Sequence, residues 1–178
     1  MDVPESLSDI AFSLVDLDAT IALRRAVLRP WLTPETARAT YAGPGEHFHV
    51  GAILDGRLVS TAGFAAETHP AYADTFGSLQ WRLRGMASDP AVRGRGLGGR
   101  VLAFGLAELA RRLGAAGEKS AAVWCNGRTV AQSFYERHGF QPIGARFETP
   151  GTGPHLVFWR RLAAGSAGGA PRRPGRSA

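Results

Sequence analysis

Hydrophobic residues along this chain switch between a period of two and a period near 3.6, and the switches mark out its elements. Ile10, Phe12 and Leu14 alternate with Ala11, Ser13 and Val15, which predicts a short strand. Leu17, Ile21, Arg24 and Leu28 then recur at spacings of three and four, a helix that Pro30 ends. Thr33-Pro34-Glu35 joins an N-cap hydroxyl to a proline suited to the first helical position and an acid for the first turn, so a second short helix is expected to about Tyr41. Gly43-Pro44-Gly45 breaks it. HFHVGAIL and RLVSTAGFA follow as strands joined by Asp55-Gly56, a dipeptide that tolerates the positive φ of a two-residue hairpin.

After a polar stretch from Glu67 to Gly77, SLQWRLRGMAS predicts a longer strand. Trp81, Leu83, Gly85 and Ala87 fall on one face of it, and Arg82, Arg84 and Met86 on the other; Asp89-Pro90 ends it. A glycine-rich loop then runs into a helix striped by Leu102, Leu106, Leu109 and Leu113, with Arg111 and Arg112 in its last turn and Gly114 as the residue that stops it. SAAVWC reads as a buried strand and TVAQSFYERHG as a helix closed by Gly139. FQPIGARF and HLVFWRRL are final strands around the loop ETPGTGP. The order β-α-α-β-β-β-α-β-α-β-β is that of an α/β (α+β) domain with mixed strand directions.

Composition narrows the class. With 178 residues, 44% of them hydrophobic, the chain can bury a core without staples, and the single Cys125 excludes an intrachain disulfide or a Cys-rich zinc site. No apolar run approaches the ~18 residues of a membrane span. The opening MDVPESLSDI carries acids where a secretory signal carries bases, so a cytoplasmic protein with no membrane partner is expected. The net charge of +6 with a pI near 10.6 raises nucleic acid as a partner, but half of the excess, +3, sits in residues 163–178. That Gly/Ala/Pro/Arg stretch is expected to be a disordered tail behind one domain spanning 1–162. Residues 19–162 carry +8, and that is where an anion would bind.

The glycine loop Arg93-Gly94-Arg95-Gly96-Leu97-Gly98-Gly99 lies between a strand and a helix. Its amides can face a phosphate, because glycine lets the backbone approach and the helix N-terminus favours negative charge. Gly94, Gly96 and Gly99 spell G-x-G-x-x-G, yet five residues, Asp89 to Arg93, separate the first glycine from its strand and Glu118 precedes a strand instead of ending one, so the dinucleotide reading fails. A P-loop fails too, since Arg100-Val101 stand where Lys and Ser or Thr belong.

Arg93-x-x-Gly96-x-Gly98, on a strand ending Met86-Ala87-Ser88-Asp89-Pro90, resembles the acetyl-CoA signature of the Gcn5-related N-acetyltransferase (GNAT) superfamily. Ser133-Phe134-Tyr135-Glu136-Arg137-His138-Gly139-Phe140 resembles that family's second landmark, an aromatic-Tyr pair on a helix ending in Gly-Phe. Phe147 with Gly153-Pro154-His155 is similar to its ElaA-like branch. The resemblance implies a mixed central sheet of about seven strands with about four helices. It implies an acyl-CoA-dependent N-acetyltransferase, acting by direct attack of a primary amine in a ternary complex, with acetyl-CoA as co-substrate and no metal. A catalytically silent acyl-CoA-binding or regulatory module on the same fold is the alternative.

Residue by residue, the resemblance assigns the CoA pyrophosphate to the main chain of Arg93, Gly94, Arg95, Gly96, Leu97 and Gly98, and pantetheine to the main chain of Met86, Ala87 and Ser88. Tyr135 is the expected catalytic residue, protonating the departing thiolate; a phenol of pKa ~10 stays protonated where a thiol of ~8.5 begins to ionise. Two family positions depart here: Arg128 replaces the Asn that contacts the cofactor, and Val123 replaces a Glu on the strand before. The general base stays open among Glu67, His69, Glu148, His155 and water. The acceptor is expected to be a small-molecule amine or a protein N-terminus, not nucleic acid, and the protein a monomer or homodimer.

Overall fold

The computed structural model describes residues 9–165. Strands β1 (Ala11–Val15), β2 (His47–Leu54), β3 (Arg57–Ala66), β4 (Gln80–Ser88), β5 (Ser120–Arg128), β6 (Gln141–Thr149) and β7 (Gly153–Ala163) form one sheet in the order β1-β2-β3-β4-β5-β7-β6. Helices α1 (Leu17–Leu28), α2 (Pro34–Ala42), α3 (Ala73–Phe76), α4 (Leu97–Ala115) and α5 (Gln132–Arg137) connect them. Every neighbouring pair is antiparallel except β4 with β5. This is the mixed seven-stranded architecture expected, with one helix more.

Local chemistry explains the well-placed elements. Asp55 and Gly56 both have positive φ, 50° and 72°, as a primed two-residue turn requires. Thr33 Oγ1 accepts from the Thr36 amide at 3.2 Å, so the N-cap of α2 forms as its sequence implies. The main core lies between one face of the sheet and α4: Phe48, Val50, Phe64, Leu83, Val123 and Phe158 meet Leu102, Leu106, Leu109 and Leu113. The opposite face carries α1 and α2 around Ile21, Ala37 and Tyr41, and a second patch where Phe76 of α3 meets Trp124 and Val157.

Three expectations shift. α4 runs past Gly114 to Ala115, and the left-handed stop is Gly117 at φ +76°. The polar stretch 67–77 holds the one-turn α3, anchored by fully buried Phe76. The helix expected over 129–139 is a 3-10 turn, Thr129–Ala131, followed by six residues of α5. At the C-terminal end the Ala164 and Gly165 amides donate to Lys119 and Ala110 carbonyls. The tail expectation, from residue 166 on, lies outside the described residues.

Candidate active site

Between β4 and β5 the sheet opens. The two strands pair only at Gln80↔Ala122, Trp81↔Val123 and Arg82↔Trp124, after which they part around a cleft of about 700 Å³. The cause sits on β4: Gly85 has φ +61°, and the register with β3 slips between Thr61 and Gly63, the signature of a bulge. The bulge also corrects the face assignment. Met86, expected on the arginine side, turns back and packs partly buried against the main core. Residues 83–88 therefore keep β3 on one side and have no strand on the other, leaving a main-chain edge without a strand partner along the cleft.

Met86, Ala87, Ser88, Arg93 and Gly98 line this cleft. The glycine loop stands at its end: Gly94 and Gly96 have φ of +77° and +76°, with open space where a side chain would be, and Gly96 caps the nineteen-residue α4. Leu97 belongs to the loop only through its backbone, because its side chain is buried in the main core. The Arg93 guanidinium folds back, its Nε donating to the Ser88 carbonyl at 3.3 Å, and Gly94, Arg95, Gly96 and Leu97 do not line the cleft itself. An unpaired strand edge and open amides at a helix N-terminus suit an extended thiol chain ending in a pyrophosphate.

Tyr135 enters the cleft from α5. Its ring stacks on Phe158 at 4.8 Å and meets Phe134 and Phe140 edge-on at 5.4 and 5.9 Å. Gly127 makes this possible: a Cβ there would overlap the Tyr135 ring and lie 2.8 Å from Phe158. Burial, with Cys125 as hydrogen-bonding neighbour, pushes the Tyr135 hydroxyl well above its ordinary value, so it holds its proton. Burial likewise pushes the Cys125 thiol up to about 12, which leaves it unreactive. Phe134 does more than fill the core, since it too lines the cleft.

The four side chains considered as base separate clearly. Glu67 is held by Arg82 at 2.7 Å and Arg84 at 3.3 Å. His69 is packed against Tyr72, Phe76 and Trp124 and accepts the Ala71 amide at its Nδ1, while Glu148 stands in a separate shallow pocket beside Arg146. His155 alone of the four lines the cleft. Its Nδ1 lies 2.7 Å from the Gly153 carbonyl, which can only accept. A proton is thereby fixed on Nδ1, and Nε2 is the ring nitrogen left to accept one.

Beneath the bulge lies a buried cluster that sequence reasoning missed. Arg24 Nε donates to the Gly85 carbonyl at 2.9 Å, Nη1 to Thr20 Oγ1 at 2.9 Å and Nη2 to His49 Nδ1 at 3.3 Å. Burial lowers the Arg24 pKa to about 10, which still leaves a cation at neutral pH, without a carboxylate partner among the described residues. The only signal for it was an arginine placed within an apolar helical stripe. His49, desolvated and facing Arg24, has its pKa lowered to about 3 from 6.5. Its proton is taken up on unfolding, so stability should fall as pH drops from about 6.5 toward 3, by up to about 1.4 kcal/mol per unit. Urea denaturation across that window checks this, and His49→Gln should flatten the slope.

Among the described residues no three His, Cys, Asp or Glu side chains are grouped to hold a metal ion, and no helix is long and apolar enough to cross a membrane. Residues 44–142 match the family described as acetyltransferase (GNAT) domain. The chain is 29% identical over 148 residues to the uncharacterised N-acetyltransferase YitI of Bacillus subtilis, covering 83% of this chain and 93% of that protein. Among solved structures, Escherichia coli ElaA superposes with a TM-score of 0.65 at 19% identity, over 85% of this chain and 99% of the other. An aminoglycoside 6'-N-acetyltransferase solved with coenzyme A gives 0.60 at 15% identity, over 92% and 99%. At these identities the two structures speak for the fold alone.

Proposed function

Because the chain belongs to the GNAT acetyltransferase family, we propose that it moves an acetyl group from acetyl-CoA to a primary amine by direct attack in a ternary complex. The observation that carries this is the opened sheet, with the free β4 edge, Arg93 and Gly98 of the glycine loop, and Tyr135 lining one cleft. Acetyl-CoA, when bound, supplies an activated thioester. The main chain of Met86, Ala87 and Ser88 takes the place of a strand neighbour for pantetheine, and the amides from Gly94 to Gly98 face the pyrophosphate, the Arg93 amide being held by the Pro90 carbonyl at 3.3 Å. The N–C bond forms as C–S breaks. Tyr135 gives its proton to the leaving sulfur, and His155 Nε2 takes the proton lost by the amine. For an amine of pKa ~10.4 that deprotonation costs about 4.6 kcal/mol at pH 7, which is why a base in the cleft matters. The acceptor is read as a small-molecule amine or a protein N-terminus.

Acetyl-CoA at about 100 times its Kd should stabilise the protein by about 2.7 kcal/mol while NAD does not, seen as a rise in Tm. No rise at saturating acetyl-CoA overturns the proposal. His155→Gln should lower kcat/KM at least about tenfold with acetyl-CoA affinity retained. Unchanged kcat/KM would pass its role to water.

A further inference from the structure

The cleft opens on both faces of the sheet, and the second face has a chemistry of its own. Cys125 and Gly127 of β5 touch Tyr135, so the alternating Asn126 and Arg128 turn the other way. On β4, Arg82 lies over the Trp124 ring at 4.8 Å, which puts Arg82 and Arg84 on this second face with α1 and α2. Five arginines and no Asp or Glu line the cleft. Of those on the second face, Arg82 and Arg84 are held by Glu67, whereas Arg29 and Arg128 make no ion pair among the described residues. Tyr41 also lines the cleft, only 5% exposed, and its buried hydroxyl has no hydrogen-bond partner and lies within the field of Arg29, Arg24, Arg128 and Arg84. A buried donor left unpaired beside unpaired guanidinium groups is a site for an oxyanion.

We propose that the acceptor amine carries an anionic oxyacid group, a carboxylate or a phosphate, and that Arg29, Arg128 and Tyr41 bind it on the α1/α2 face of the cleft. This rests on the acetyl-transfer reading and names its substrate class. Polycationic amines are excluded by the same arginines. The anion is the acceptor's and not that of CoA, because the glycine loop and the α4 N-terminus serve the cofactor from the other face.

The test compares paired amines with acetyl-CoA: amino acids against their amides, and phosphoethanolamine against ethanolamine, with spermidine as the cationic arm. The acid of at least one pair should be preferred about tenfold or more in kcat/KM, and the pair that responds tells carboxylate from phosphate. In Arg29→Gln/Arg128→Gln that ratio should collapse toward one while the KM for acetyl-CoA stays within about twofold. Should no amine turn over, the readout is the Tm of the CoA-saturated protein with the N-acetylated acids against their amides; an acid-selective rise, lost in the variant, supports the site. Equal or better use of the neutral or cationic member overturns the proposal, as does binding of no acid or a variant whose defect is in acetyl-CoA affinity. Failure of acetyl-CoA itself to stabilise the wild type is read separately and counts against the transferase reading.

Discussion

Replacing Tyr135 with phenylalanine is expected to lower kcat by about 10²- to 10⁴-fold, with the KM for acetyl-CoA within about twofold of wild type. The ring stays where Phe158, Phe140 and Phe134 hold it, so the change removes a hydroxyl and little else. Losing its bond to the Cys125 thiol costs about 0.5–1.5 kcal/mol, too little to unfold the domain. Because burial holds the hydroxyl well above its ordinary pKa, Tyr135 should remain a competent donor into the alkaline range, and the wild type should show no alkaline loss of rate from this group. Steady-state kinetics with free thiol as the readout decide the matter. Turnover unchanged by Tyr135→Phe would remove the residue from proton donation.

Gly85→Ala should be strongly destabilising, by about 2–5 kcal/mol from two separate causes. The backbone there has φ +61°, a region that costs a residue with a Cβ about 1–2 kcal/mol. The new Cβ would also stand 2.7 Å from Arg24 Nε and 2.9 Å from Tyr41 Cδ1. Arg24 cannot step aside, since it is buried and held by Gly85, Thr20 and His49, so a further ~1–3 kcal/mol of overpacking is expected. Acetyl-CoA affinity should fall as well, because the bulge aims the free edge of β4 into the cleft. Gly56→Ala is the comparison: φ is +72° there, but nothing lies within 4 Å of the new methyl. Urea denaturation of both variants separates the two contributions, and equal losses would refute the packing account.

Much of the fold was legible because local rules act alone where it was read correctly. The Asp55-Gly56 hairpin, the Thr33 cap and the leucine stripe of α4 each need only neighbours in sequence. The glycine loop was legible for the same reason, since its conformation is set by residues lacking a Cβ. Met86 was misplaced because the bulge that turns it depends on Arg24, sixty-one residues from Gly85, reaching across to the Gly85 carbonyl. The role of Gly127 was invisible until α5 packed against β5. His155 could not be told from Glu67, His69 or Glu148, because its position follows from Arg128↔His155 pairing at the far end of the opened strands.

The short seam between β4 and β5 has a mechanical consequence. Joined by three residue pairs, the strand groups β1 to β4 and β5 to β6 behave as two plates on a narrow weld, and the stiffness between them comes largely from a brace laid across both. That brace is α4, whose leucines reach residues of both plates. A change that softens α4 would therefore be felt at a distance, as a change in the gape of the cleft and not as the loss of any one contact.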